Sequence, residues 1–284
     1  MFNISPADRV SIVGKTGSGK SFFVKRLLKD MEREAQKLNF YYPIIILDNK
    51  GSPKTFQGFG KRIKKLKDLR KNLAAAVPVI VYSPQESERT MNYYAGFFEY
   101  LYKLNEPMLV YVDEFTLLGK GENIPEYVEK FYKQGRERLQ ALWASTQNPV
   151  YLSHDVLSQA DHYFVFDLLN KADRERLASM AGDQLRKRPT ELHGFWYFGT
   201  SERNPEYFPN ILTKNVISKE NVVNEPDKNN EETEGEKMKG KYIVSLFVLG
   251  LVMIFILPLW KKAFQFLGEK VPATQPIATF TEQA

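Results

Sequence analysis

Val10-Ser11-Ile12-Val13-Gly14-Lys15-Thr16-Gly17-Ser18-Gly19-Lys20-Ser21 is a short apolar run followed by the pattern G-x-x-x-x-G-K-S and then a helical periodicity. A phosphate loop has these parts: a buried strand to hold it, glycines that let the backbone curl, and a helix start beyond. The amides of Thr16 to Ser21 are expected to point inward at a β-phosphate, with the positive end of the helix behind them. In this reading Gly14, Lys15, Thr16, Gly17, Ser18, Gly19, Lys20 and Ser21 form the nucleotide cradle. Lys20 reaches the β- and γ-phosphates, and the Ser21 hydroxyl holds Mg²⁺. The stretch predicts binding of a nucleoside triphosphate.

Composition narrows the rest. The chain has 284 residues, a formal charge of +6 and 43% hydrophobic residues. That length suits one α/β domain of about 200 residues with appendages. It contains no cysteine, which excludes a disulfide framework and any thiolate metal site. The histidines, His154, His162 and His193, lack ligand spacing, which disfavours a zinc centre. Positive charge crowds one segment, where Lys61, Arg62, Lys64, Lys65, Lys67, Arg70 and Lys71 share a single acid, Asp68. Such a run is either the solvated face of a helix or a contact to a phosphate backbone.

Met1–Arg9 has no charged start leading into an apolar core, so no signal peptide is expected and synthesis should begin in the cytoplasm. Residues 21–38 read as a helix, and Pro43–Leu47 as a buried parallel strand ending in Asp48-Asn49-Lys50-Gly51. Asn49-Lys50 resembles the start of a guanine-reading N-K-x-D motif, but Ser52 stands where the Asp would be, which disfavours a GTPase. Gly51–Gly60 reads as loop and the basic segment after it as helix. Pro78–Tyr82 is a third strand, Glu86–Leu104 a helix, Met108–Val112 a fourth strand, and Pro125–Arg136 a helix. Gln140–Ser145 is a fifth strand. A short helix near Leu152–Gln159, a strand at His162–Phe166, a helix at Ala172–Ala181 and a strand at Phe195–Phe198 follow. Strands alternating with helices imply a mainly parallel sheet covered on both faces, with ligands beyond the carboxyl ends of the strands. Gly14, Asp48, Asp113 and Gln147 all fall at such ends.

Asp113, after an apolar strand, is expected to serve the metal as Ser21 does, by accepting a hydrogen bond from Mg²⁺-bound water. Glu114 can then polarise the water that attacks the γ-phosphate, a second acid that a nucleoside kinase would not need. Gln147 ends the strand expected between the two strands that carry the phosphate loop and the acids, where its amide can sense the γ-phosphate. Arg136 and Arg138 lie just before that strand. A guanidinium inserted beside a neighbouring subunit's γ-phosphate would stabilise the charge of transfer.

Gly135-Arg136 followed by Ala144-Ser145-Thr146-Gln147-Asn148-Pro149 resembles the G-R…A-T-Q-x-P stretch of the FtsK/HerA superfamily of DNA-pumping ATPases. The Asp48-Asn49-Lys50-Gly51 turn is similar to that superfamily's D-x-K-G. The resemblance spans about Val10 to Phe198, and the small size is nearest to the genome-packaging ATPases of tectiviruses and other membrane-containing viruses. It implies ATP and Mg²⁺ as cofactors and a homo-hexameric ring around double-stranded DNA. It also implies capsid or vertex proteins as partners, and Arg136 acting across the subunit boundary beside Glu114 and Gln147. Asn148 departs from the Arg that commonly follows the Gln in FtsK proteins.

After Asn210 the composition changes. Residues 211–241 read as an acidic disordered linker, residues 242–260 as a transmembrane helix, and residues 261–284 as a short extended tail. The uncharged run from Tyr242 to Trp260 would cover about 30 Å, the thickness of a bilayer core, with an aromatic residue at each end. Such a span is not typical of packaging members.

The expected fold is therefore α/β: a RecA-like P-loop NTPase of the additional-strand, catalytic-glutamate type over residues 1–210, with a mainly parallel sheet and one C-terminal transmembrane helix. The expected function is a membrane-anchored motor for viral DNA packaging, with its ATPase domain on the cytoplasmic side of a host or virion membrane. Two alternatives stay open: a Zot-type ATPase of filamentous phage extrusion, and a nucleotide-dependent membrane scaffold that moves no DNA.

Overall fold

The run Val10–Val13 forms β1 and is wholly buried because it has a parallel neighbour on each side. The computed structural model describes residues 2–51 and 54–210. Within them the strands are β1, β2 (Ile44–Asp48), β3 (Lys61–Ile63), β4 (Val79–Tyr82), β5 (Met108–Asp113), β6 (Gln140–Thr146), β7 (His162–Val165), β8 (Phe195–Gly199) and β9 (Glu206–Phe208). They form one sheet in the order β3-β4-β2-β5-β6-β1-β7-β8-β9. It is parallel from β3 to β7, and β8 and β9 add on antiparallel. The additional strand expected from the sequence is β6, which lies between β1 and β5.

The helices are α1 (Lys20–Lys37), α2 (Leu66–Ala74), α3 (Met91–Leu104), α4 (Glu126–Gln134), α5 (His154–Ser158) and α6 (Lys171–Ala181). On one face α1 sets Phe23, Val24, Leu27 and Leu28 against Val10, Ile12, Ile44, Ile46, Tyr111 and Trp143. On the other face α2 to α6 cover the alternate residues of the same strands, among them Ile45, Leu47, Val110, Val112 and Leu142. Period-two alternation thus sends the odd and even residues of one strand into two different cores.

Three expectations are corrected. The basic segment is not all helix: Lys61–Ile63 is the edge strand β3, and α2 starts at Leu66. Arg62 and Ile63 explain the difference, because Ile63 is buried and Arg62 is bound to the carboxylate of Asp48, leaving Lys61 at a solvent-facing edge. The helix read over Glu86–Leu104 is two pieces. A single 3₁₀ turn at Glu86–Glu88 is closed by a Gln85–Glu88 capping box, and Thr90 then caps α3 afresh by accepting from the Tyr93 amide. Strand β9 is absent from the sequence expectation because its three residues sit among polar turn residues; the Phe208 ring, stacked on Phe195 at 5.2 Å, holds it. The expected linker, transmembrane helix and tail, residues 211–284, lie outside the described residues. Among the described residues no helix is long and apolar enough to cross a membrane.

Asp48 ties the edge to the middle of the sheet. Fully buried, it accepts hydrogen bonds from Arg62 Nη1 (2.8 Å) and Ser83 Oγ (3.0 Å) through Oδ2, and from the Gly51 amide (3.1 Å) through Oδ1. Removing one member of such a pair leaves the other charge uncompensated. Asp48→Ala is expected to lower the free energy of unfolding by about 3 kcal/mol, read from urea denaturation followed by tryptophan fluorescence. A change under about 0.5 kcal/mol would mean that water replaces the carboxylate without cost.

Candidate nucleotide site

The phosphate loop hangs from the carboxyl ends of its two neighbouring strands. The Gly14 amide donates to Thr146 O (3.2 Å) and the Lys15 amide to Asp167 O (2.8 Å). Gly14 has φ +155°, and a Cβ there would lie 2.5 Å from Phe166 Cβ and 2.9 Å from Ser18 Oγ, so only glycine fits. Beyond it, α1 begins with neither a capping side chain nor an acid in its first turn. Its free amides and positive end therefore have no compensating group within the helix. Thr16 to Phe22, Lys50 and Gln147 line a pocket of about 450 Å³.

The two lysines of the loop have different surroundings. Lys20 is buried, and its Nζ donates to the carbonyls of Gly14 and Lys15 (2.9 Å to the latter). Burial, with Lys50 adding repulsion, brings its pKa down to about 8. Lys15 points away and pairs with Asp167 (2.6 Å), which also takes Arg188 through both carboxylate oxygens (2.6 and 2.8 Å). The Arg188 hydrogen bonds hold the Asp167 carboxyl at about 2, below its ordinary range.

Asp113 ends β5, the second strand over from β1 with β6 between them, and Glu114 follows it at the head of a 3₁₀ turn. Both are buried, and Glu114 has φ +60°, a left-handed conformation that non-glycine residues seldom adopt. Its carboxylate is engaged through both oxygens. Oε1 accepts from Thr146 Oγ1 (2.7 Å), Thr116 Oγ1 (3.0 Å) and the Gln147 amide (3.3 Å), and Oε2 accepts from Gln147 Nε2 (3.0 Å). The same Gln147 side chain accepts from Thr16 Oγ1. Gln147 therefore bridges the phosphate loop and the acid, as its place on the intervening strand predicts.

The neighbouring acids are driven in opposite directions. Burial raises the pKa of Asp113; Lys50 opposes this, while Asp48 and Glu114 add to it. Burial pushes Glu114 up as well, but the hydrogen bond from Thr146 and the charge of Lys50 leave it below its ordinary value. Glu114 is thus the acid whose charged form its surroundings favour. Asp113 Oδ2 is buried without a hydrogen-bond donor, 3.7 Å from Lys50 Nζ. A buried carboxylate oxygen of this kind, with the Ser21 hydroxyl in the pocket lining, is a donor set that suits a hard divalent cation such as Mg²⁺.

The structure brings Gly14–Ser21, Asp113, Glu114 and Gln147 to one end of the sheet but leaves Arg136 at the other. Arg136 sits in the 3₁₀ turn Gly135–Arg138 that precedes β6, and it pairs with Asp161, which precedes β7 and also binds Arg9. Arg138 lies over the Tyr102 ring at 4.3 Å. Sequence reading does not find Lys50 as a site residue, nor Thr116, Thr146 and Asp167. The D-x-K-G similarity is the signal that points to Lys50.

Residues 7–232 match the family model described as the central domain of helicase HerA. No curated protein matches the sequence. Among solved structures, the genome packaging NTPase B204 from Sulfolobus turreted icosahedral virus 2 in complex with AMP aligns with TM-score 0.59 and 18% identity, over 74% of this chain and all of that one. Its complex with ATP-gammaS gives TM-score 0.59 at 16% identity, with the same coverage of both chains. The pCW3 conjugation coupling protein TcpA aligns with TM-score 0.50 and 14% identity, over 72% of this chain and 62% of that one. At these identities the structures establish a shared fold.

The Asp167 cluster gives a pH test. A carboxyl whose folded pKa is depressed contributes stability above its unfolded pKa and loses it as pH falls through the folded one. The difference in unfolding midpoint between the parent and Asp167→Asn is therefore expected to hold from neutral pH to about pH 5 and to vanish by about pH 2. A difference that persists undiminished at about pH 2 would mean that charge is not its source.

Proposed function

The chain belongs to the HerA central-domain family and is a P-loop ATPase of the FtsK/HerA type, and on that premise we propose that it couples ATP hydrolysis to the movement of double-stranded DNA at a membrane. The observation that carries the catalytic half is the bridge Thr16–Gln147–Glu114, which joins the phosphate loop to a buried acid across the intervening strand. In this reading Gly14–Ser21 cradle the phosphates and Lys20 turns from the loop carbonyls to the triphosphate. Ser21 and Asp113 would hold Mg²⁺, which when bound neutralises charge on the β- and γ-phosphates. Glu114 orients the attacking water. The water oxygen bonds to the γ-phosphorus as the bond to the β–γ bridging oxygen breaks; the electron pair leaves with ADP, and the water's proton passes to the Glu114 carboxylate.

Support for DNA as the partner comes from the family and from the surface of β3 and α2. Arg62 is consumed by Asp48, and Arg70 lies over the Tyr100 ring at 4.8 Å, yet Lys61, Lys64, Lys65, Lys67 and Lys71 stay exposed. The description of B204 as a genome packaging NTPase favours packaging over the other uses of this fold. We place the anchor at residues 242–260, the ATPase domain on the cytoplasmic side of a host or virion membrane, and the working state as a homo-hexamer. Capsid or vertex proteins are the proposed further partners.

Two outcomes test this. Double-stranded DNA is expected to stimulate hydrolysis by the full chain. Neutralising Lys64, Lys65 and Lys67 together should flatten the salt dependence of DNA binding by about 0.9 for each phosphate that is no longer neutralised. Hydrolysis indifferent to DNA would favour the scaffold alternative. The second concerns Arg136, whose exposed guanidinium lies at the amino end of the strands, away from its own pocket and available to a neighbour. Arg136→Ala is expected to bind ATP normally and to hydrolyse it about a thousandfold more slowly. Mixing it with Lys20→Ala subunits should restore part of the rate, because an intact pocket can then face an intact arginine. Parental hydrolysis by Arg136→Ala would place the finger elsewhere.

A further inference from the structure

The turn after β2 is built to hold one side chain. Asp48 and Asn49 are both fully buried, and Gly51 closes the turn at φ +63°, its amide donating to Asp48 O and Oδ1, both at 3.1 Å. Arg62 and Ser83 fix Asp48 from the far side. A Cβ on Gly51 would meet the Arg89 guanidinium at 2.3 Å, so the turn is fenced there too. Between these fixed points stands Lys50. Its ammonium is 3.5 Å from Glu114 Oε2 and 3.7 Å from Asp113 Oδ2, and it lines the pocket with Thr16–Ser21 and Gln147.

Those distances are ion-pair distances, longer than the hydrogen bonds that Glu114 makes to Thr146 and Gln147. Lys50 is 38% exposed and can turn toward the pocket centre, while the two acids are nearly sealed. Lys20, the other cation of the pocket, is spent on loop carbonyls. A triphosphate entering along the loop presents its terminal oxygens, with the highest charge density of the ligand, between these two lysines and the acids.

We propose that Lys50 is a second phosphate-binding lysine, which in the nucleotide complex moves from Asp113 and Glu114 to the γ-phosphate. The inference rests on the ATPase reading of this pocket and adds two functions to it. Lys50 makes the site distinguish triphosphate from diphosphate, because ADP has no group where its ammonium arrives. Its departure also uncovers Glu114 Oε2, which otherwise has Lys50 beside it at 3.5 Å and a hydrogen bond from Gln147 Nε2. The acid thus becomes available to water only when a γ-phosphate has drawn Lys50 away.

The test uses the full chain in the Glu114→Gln background, where triphosphate is not consumed, and measures displacement of a fluorescent ADP analogue by ATPγS and by ADP with Mg²⁺. Lys50→Ala is expected to leave ADP affinity within about twofold while weakening ATPγS by about tenfold or more, the worth of one charge-assisted hydrogen bond. Lys50→Arg should recover most of that loss, and Lys50→Gln should fall between. In the otherwise unaltered chain Lys50→Ala should also lower kcat. If Lys50→Ala keeps the parental ratio of ATPγS to ADP affinity, or weakens both nucleotides alike, Lys50 is only a counter-charge for the acids and the proposal fails. Lys20→Ala is the separate control: if it too binds both nucleotides normally, the pocket itself has been misassigned and the inference falls with it.

Discussion

Three carboxylates, Asp48, Asp113 and Glu114, meet beyond the carboxyl ends of two adjacent parallel strands, all of them buried. That concentration of negative charge in a poorly solvated place is the constraint on which the rest of the site depends. Arg62 compensates the first and Lys50 lies beside the other two. The edge strand β3 brings Arg62 inward beside the buried Ile63, and the Asp48–Gly51 turn brings Lys50. Asp113 Oδ2 faces Lys50 at 3.7 Å but receives no hydrogen bond, and in the proposed ATPase reading it is the oxygen that would turn to a metal.

Much of this was legible in the sequence. Five-residue apolar runs ending in Asp or Asp-Glu, too short for helices, read as strands buried on both faces, and the phosphate loop marks the strand that carries the site. The register follows: Gly14, Asp48, Asp113 and Gln147 are expected at one end of the sheet and stand there. The basic segment defeats a sequence reading because a charge count cannot show that Arg62 is claimed by a buried acid and Arg70 by an aromatic ring. Those partners are separated from it along the chain and brought near only by the sheet.

The same limit hid Lys50, Thr116 and Thr146. Each is an ordinary residue in a loop or strand end, and its importance comes from a carboxylate, at the end of another strand for Lys50 and Thr146 and two residues back for Thr116. The left-handed backbone at Glu114 was equally invisible, since nothing in Asp-Glu-Phe announces a positive φ. The conformation turns the side chain back toward β6, where Thr146 and Gln147 receive it, and that contact holds the strain in place.

One consequence of β6 concerns mechanics. Its seven residues are all buried; Gln140–Ala144 pair with β5 and Trp143–Thr146 with β1, so Trp143 and Ala144 are held from both sides. An extended strand clamped in this way, about 23 Å long, has no slack: it neither stretches nor turns on its own. Arg136 lies just before one end and Gln147 just after the other. The turn that carries Arg136 and the Gln147 amide are therefore held at a fixed separation by the strand between them. Neighbouring copies touching at one end would then be coupled by geometry, with firing in one copy timed by displacement in the next.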